Sequence, residues 1–502
     1  MTNLSRPPAT AEGFNVAGYF RAENGLGEAA RLLLAVIGQS GIPFSTVGYE
    51  ETPSRQSLPF HEVSDRTYNT NIVVVNGDNL AAFARAMGRD FFVDRYTVAY
   101  WAWETDRLPD GYLEALEYVD EVWMPSEYSS QAARVSTDKP VHTFPYPIVP
   151  PAVDPAITRQ RLGLPAGFLF TFMFDYFSTS QRKNPHDLIR AYRNAFSEGE
   201  SAALFIKTLN ANQRPLERQL VEELAAGRKD IRVVDGYMTS SEKDALLANS
   251  DCYVSLHRSE GFGLGMAEAM ALAKPVIATG YSGNLEFMSG ENSYLVPHAI
   301  TRVGRLAGPY TADAHWAAPD VGEASRLMRH VFEHRDEANA RGARARSDVL
   351  ANHSPEARVT LLRARMGTIN ALRAGLDSEL HNRPGYRTSE DVVVERLRRG
   401  PRADVATTQA GIYGALARAS RKLVNRAIRN YHVYQVGVET ALLEALQGSD
   451  RRRATESAAA QRSIAHLEQE VEQLRVELQR RDAPSGSPAI EVRRPAEERG
   501  AR

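Results

Sequence analysis

Two doubly wound α/β domains followed by a helical extension are the fold that this 502-residue sequence predicts. Three observations carry the prediction. Short β-branched or aromatic runs alternate with helical patterns, as they do in a parallel sheet with helices on both faces. The alternation occurs twice, with a cluster of prolines between the two sets. Beyond the second set the chain turns helical and charged. The length exceeds one ordinary domain, and the hydrophobic (43%) and charged (24%) fractions are near globular averages, so most of the chain is expected to fold.

The first strands are read at residues 14–20, 44–49, 71–76, 96–104 and 121–126, with a helix at 31–40 after the first of them. Pro140, Pro145, Pro147, Pro150, Pro151 and Pro155 cannot continue a helix or a central strand, so they mark a linker between a domain at 1–150 and one at 151–370. The second strands are read at 168–176, 202–210, 231–237, 252–258, 275–281 and 293–297. Among their helices, one opens at Pro185, a favoured first-turn residue, one covers Gly265 to Leu272, and one is expected near 319–346.

Residues 371–411 mix Pro, Gly and charges as a linker does. At 412–448 the apolar residues Ile412, Leu416, Leu423, Ile428 and Val433 interleave with Arg418, Arg421, Lys422, Arg426 and Arg429. Such a basic amphipathic helix suits an anionic membrane surface, and equally a face of its own protein. At 452–482 the residues Ala460, Ile464, Leu467, Val471, Leu474 and Leu478 alternate four and three apart, a short coiled-coil seam that points to a homo-oligomer or to docking on another helix. Residues 483–502 are rich in Pro, Arg and Glu and read as a disordered tail.

A net charge of −2 gives no general attraction to nucleic acid. The lone Cys252 excludes an internal disulfide framework and a cysteine-based zinc site. The twelve histidines form no zinc-like cluster, and no metal or cofactor is expected. The first thirteen residues lack a signal-peptide core, and nowhere do eighteen apolar residues run together, so the expectation is a cytoplasmic protein, soluble or peripheral at the membrane.

The most informative stretch is Ser259-Glu260-Gly261-Phe262-Gly263-Leu264, running on to Glu268 and to Ala273-Lys274-Pro275-Val276-Ile277-Ala278-Thr279-Gly280. It sets Glu260 at a strand end and Glu268 inside a helix, eight positions on. The glycines let the backbone approach a ligand, and the helix start offers unpaired N–H groups to a phosphate. Carboxylates accept from hydroxyls, so the stretch suits a sugar nucleotide. An acidic pair at a helix start also occurs as a simple electrostatic cap with a solvated partner.

These residues resemble the retaining glycosyltransferases of family four, which fold as two Rossmann-like domains in the GT-B arrangement. The resemblance runs from about Val16 to about Arg346 and is strongest between Phe170 and Asn284. It implies transfer of a sugar from a nucleoside-diphosphate sugar to a hydroxyl acceptor, with retention and without a metal. The acceptor would be a saccharide or a lipid-linked saccharide. By the same resemblance Glu260 holds the sugar hydroxyls, Glu268 the ribose, and Gly236 and Tyr237 the base, with Gly261, Phe262, Gly263 and Leu264 lining the donor. Lys183 matches the family's diphosphate lysine. The usual partner arginine lies further upstream, where this chain has Asp175 and Tyr176, so Arg182 or Lys207 is expected to substitute. The wording around Arg182 and His257 looks most like bacterial enzymes of cell-surface polysaccharide assembly, among which mannose donors are common.

On the acceptor side, Gly25 and Gly27 resemble the family's first glycine loop. Trp103 and Glu104 stand where many relatives carry a histidine, and an aromatic face with a carboxylate beside it suits a sugar; a core tryptophan fits the sequence as well. Two alternatives remain. Gly25-x-Gly27-x-x-Ala30 with Glu50 fits a dinucleotide fingerprint of an NAD-dependent oxidoreductase, although four residues separate Phe20 from Gly25. A non-catalytic scaffold working through its coiled coil is the other.

Overall fold

The computed structural model describes residues 11–379 apart from 64–66, 93 and 305–306. The segments read as an amphipathic helix (412–448), a coiled coil (452–482) and a tail (483–502) lie outside the described residues.

The first sheet is parallel and six-stranded, in the order β2-β1-β3-β4-β5-β6. Its strands are β1 Phe14–Gly18, β2 Phe44–Gly48, β3 Thr70–Val74, β4 Tyr96–Tyr100, β5 Glu121–Met124 and β6 Val141–Thr143. Helices α1 Gly25–Ser40, α2 Gly77–Met87, α3 Asp110–Ala115 and α4 Glu127–Arg134 lie between them. Helix α1 shows how the sequence specifies such an element. Asn24 caps it by accepting from the Gly27 N–H at 2.8 Å, Gly41 ends it in the left-handed region, and Ala29, Ala30, Leu33, Val36 and Ile37 recur at helical spacing. Burying the three large ones contributes roughly 1.5–3 kcal/mol each. The helix begins at Gly25, six residues before the expected start, because the Asn24 cap adds turns ahead of the apolar face.

The second sheet is also parallel and six-stranded, in the order β12-β11-β10-β7-β8-β9. It comprises β7 Phe168–Asp175, β8 Ala202–Leu209, β9 Ile231–Asp235, β10 Cys252–Ser255, β11 Val276–Thr279 and β12 Tyr294–Val296. Its helices are α5 Ser180–Lys183, α6 Pro185–Ala195, α7 Pro215–Ala225, α8 Ser240–Asn249 and α9 Leu264–Ala271. Strand order reverses beside β7, which pairs with β8 on one side and with β10 on the other. In open α/β sheets the crevice beyond the strand ends at such a switch is where ligands bind.

An antiparallel hairpin, β13 His298–Arg302 and β14 His315–Pro319, follows the second sheet. Its Tyr310 and Trp316 belong to the apolar core of the first domain. Helices α10 Val321–Glu333, α11 Arg335–His353 and α12 Pro355–Glu379 complete the described chain. Helix α12 returns to the first domain, where the Arg365 guanidinium meets the fully buried Glu121 and the Arg363 Nε donates to the Ser40 carbonyl at 2.9 Å.

Several expectations are corrected. Strand β4 stops at Tyr100, and the chain to Glu104 leaves the sheet as a loop. The helix expected near 319–346 is two helices that break at His334. The proline-rich stretch contains β6, a three-residue strand between Pro140 and Pro145 at the sheet edge, where the missing N–H groups are tolerated. Helix α12 occupies the start of the segment read as a linker from residue 371.

Candidate functional site

The loops after β7 and β10 meet at the switch point of the second sheet. The first carries Arg182 and Lys183 on the short α5, and the second carries Ser259 and Glu260. Lys183 Nζ donates to Glu260 Oε1 at 2.5 Å, and Arg182 Nη1 lies 3.1 Å from Glu260 Oε2. The loops are locked by an Arg258 N–H donating to the Arg182 carbonyl at 2.7 Å. Thr179 (φ 63°) and Ser282 (φ 76°) take positive-φ backbone that such residues usually avoid, Asn184 (φ 55°) takes the left-handed conformation that asparagine tolerates, and all three flank this cluster. Burial opposes ionisation of Glu260, but Lys183 and Arg182 outweigh it and hold the carboxyl down to about 2. It is therefore a carboxylate throughout the physiological range.

Beyond Glu260 the chain turns through Gly263 (φ 100°), whose left-handed backbone a side chain would strain, and enters α9. No side chain caps α9, so its first N–H groups remain available to an anion. Glu268 lies within α9, 2.6 Å from Lys243 Nζ, and burial pushes its carboxyl up despite that partner. Phe262 is 3% exposed and packs against Tyr146 and Phe287, so it anchors the loop in the core and does not line an open donor surface as expected. Leu264 opens the helix, half-buried.

Lys207 does not join the cluster. Its Nζ donates to the carbonyls of Thr208 (2.8 Å) and Gly236, and burial lowers its pKa, which corrects the expectation of a second diphosphate cation there. Arg182 is 3% exposed, with Nη1 donating to the Ser259 carbonyl at 2.8 Å and Nη2 3.5 Å from Glu104, so it too is enclosed by partners and not aimed at a ligand. Tyr237 is exposed; its hydroxyl donates to Asn210 Oδ1 at 3.1 Å, and the Arg55 guanidinium of the first domain lies 3.9 Å over its ring. His257 is buried between Ser255 and Asn284, as a support for the loop.

On the first domain, Trp103 is 4% exposed, its indole N–H donating to Thr105 Oγ1 at 2.9 Å and its ring packed on Tyr112 and Tyr310. It is a core residue, which corrects the expectation of an open sugar platform. Gly27 lies in the first turn of α1, where a Cβ would fall 2.4 Å from the Ala22 carbonyl, whereas a Cβ on Gly25 would meet nothing within 4 Å. Gly27 thus serves packing and Gly25 leaves open space. Glu50, the carboxylate of the dinucleotide alternative, borders a cavity of about 90 Å³ and lies 3.8 Å from Arg21.

Sequence reasoning missed several partners. Ser282 Oγ accepts the Glu260 N–H at 2.8 Å, and Ser126 Oγ donates to the Gly261 carbonyl at 2.7 Å. Tyr310 donates to Glu104 Oε2 at 3.2 Å. Ser282 falls in the turn after β11, between Gly280 and Gly283. Ser126 and Tyr310 meet partners more than a hundred residues away and carry no local signal. Among the described residues no group of His, Cys, Asp and Glu is arranged to hold a metal ion, and no helix is long and apolar enough to cross a membrane.

Comparison with known proteins bears first on the segment that holds Lys183 and Glu260. Residues 172–303 match the family described as glycosyl transferases group 1. The matched segment contains Lys183, Glu260 and Glu268. The chain is 28% identical over 162 residues to the putative colanic acid biosynthesis glycosyltransferase WcaL of Escherichia coli; this covers 30% of the chain and 39% of that protein. The fold is that of GT-B glycosyltransferases. The sucrose-phosphate synthase of Thermosynechococcus elongatus is similar over 72% of this chain and all of its own (TM-score 0.54, 16% identity). Anabaena HepE, solved with UDP and glucose, is similar over 71% and 100% (TM-score 0.51, 14% identity).

Proposed function

We propose that the protein transfers a sugar from a nucleoside-diphosphate sugar to a hydroxyl acceptor, with retention and without a metal, in the assembly of a cell-surface polysaccharide or glycolipid. The observation that carries this reading is the Lys183–Glu260 contact at the switch point of the second sheet, inside the segment that matches group 1 glycosyltransferases. As the glycosidic bond loosens, negative charge builds on the departing diphosphate. Lys183 and the uncapped N–H groups of α9 are the positive groups proposed to meet it. Glu260, ionised in the physiological range, accepts from the sugar hydroxyls, and Glu268 accepts from the ribose. The leaving phosphate oxygen then takes the acceptor proton on the same face.

The likeness to WcaL supports a polysaccharide acceptor, saccharide or lipid-linked, and the UDP bound to HepE makes UDP-sugars the first donors to try, beside the mannose donors common in the family that the sequence resembles. The proposed location is the cytoplasm, with 412–448 against the inner face of the membrane and 452–482 joining copies of the chain. Thermal-shift titration with UDP-sugars, GDP-sugars and NAD tests the reading. Stabilisation by one sugar-nucleotide class, lost in Lys183→Ala, is expected. Stabilisation by NAD alone would replace it with the oxidoreductase.

A further inference from the structure

Glu260 is gripped through both oxygens, by Lys183 on Oε1 and by Arg182 on Oε2. Two cations on different oxygens fix the plane of the carboxylate as well as its place. The orientation of Arg182 therefore decides which way Glu260 faces. Arg182 has a second carboxylate partner, and that partner belongs to the other domain: Glu104, in the loop after β4, lies 3.5 Å from Nη2.

Glu104 is itself held in place. Tyr310, from the β13–β14 hairpin, donates to its Oε2 at 3.2 Å. Its loop is pinned by the Ala102 N–H donating to Asn76 Oδ1 at 2.9 Å, by the buried Trp103, and by Ser129 Oγ donating to the Trp103 carbonyl at 2.7 Å. The first domain also grips the backbone beside Glu260, because Ser126 Oγ donates to the Gly261 carbonyl at 2.7 Å.

We infer that Glu104 is a positioning residue for the donor-sugar site: by holding the buried Arg182 it orients Glu260, so the first domain sets the geometry of a site built on the second. Without Glu104, Arg182 Nη2 is left buried and unpaired, a state costly enough that the guanidinium turns toward another acceptor and releases Glu260 Oε2. Lys183 stays on Glu260 Oε1 when Oε2 is released, so the grip on the nucleotide is expected to survive loss of the strut. The inference rests on the reading of Glu260 as the sugar's partner, and it replaces a direct contact of Glu104 with the acceptor.

The test compares full-length wild type, Glu104→Ala and Glu104→Gln. Donor hydrolysis without acceptor gives kcat and KM, and calorimetry gives the affinity for UDP and GDP. Glu104→Ala is expected to lose about tenfold or more in kcat with nucleotide affinity unchanged, and Glu104→Gln, which keeps an oxygen for Arg182, to recover most of it. Hydrolysis by Glu104→Ala within about twofold of wild type would overturn the inference, and so would nucleotide affinity falling in step with turnover. A loss confined to acceptor-dependent transfer would return Glu104 to the acceptor. If the wild type hydrolyses no donor, the proposed function fails, and a crystal structure of Glu104→Gln and Glu104→Ala still decides the inference. Arg182 turned away from Glu260 in the alanine variant supports it, and an unmoved Arg182–Glu260 pair refutes it.

Discussion

Charge and space at single residues separate the roles in the cleft. Glu260 is held at about 2, below the ordinary carboxylate value of 4.5. A carboxyl depressed on folding contributes stability that is present above its unfolded pKa and is lost as pH falls through the folded value. The Glu260 contribution is therefore expected to be full above about pH 4.5 and to vanish toward pH 2, and Glu260→Gln to flatten that part of a urea-midpoint profile. The two glycines in the first turn of α1 should part company. Gly27→Ala forces a Cβ to 2.4 Å from the Ala22 carbonyl and is expected to cost about 1–3 kcal/mol by chemical denaturation, whereas Gly25→Ala meets open space and should leave stability within about 0.5 kcal/mol. Glu260, Lys183 and Glu268 stood out as candidates because glycines, a helix start and a basic loop lie within a few residues of them; the contact between Lys183 and Glu260, 77 positions apart, had no local signal. The enclosure of Arg182 was not legible either, since Glu104 lies in another domain and no local pattern joins the two.

At the scale of elements, α11 packs beside the glycine loop and α12 packs on the first domain against α1. His353 closes α11 with its ring near Phe262 and Phe287, and burial lowers its pKa from 6.5 to about 4. A histidine kept neutral by folding adds stability above its unfolded pKa that is lost as pH falls from 6.5 toward 4, on the order of 3 kcal/mol at the limit. His353→Phe is expected to remove that slope, and a wild-type profile already flat between those values would refute the assignment. Arg365→Ala leaves Glu121 fully buried without its cation and is expected to destabilise the protein by about 3 kcal/mol, read as a fall in Tm. The strands were legible from their apolar runs, because a parallel sheet buried on both faces needs them. Strand β6, the hairpin and α12 were not, for the first is short and proline-flanked, and the other two take their places from contacts with the first domain.

For the whole molecule, two sheets of different strand order are joined by loop contacts near the switch point of the second, Ser126 on Gly261 and Glu104 on Arg182, and the hairpin carries Tyr310 and Trp316 from the second domain into the core of the first. Such an arrangement should work without its terminal extension. Deleting residues 454–502 is expected to leave donor hydrolysis intact, whereas a fall in hydrolysis would make the extension part of the catalytic unit. The most direct measurement is a mass-spectrometric screen of donor hydrolysis, running wild type and Lys183→Ala against UDP- and GDP-sugars. The expected result is release of the nucleoside diphosphate from one donor class by the wild type and its loss in Lys183→Ala; no release from any donor, or equal release by both proteins, would contradict a donor site at Lys183 and Glu260.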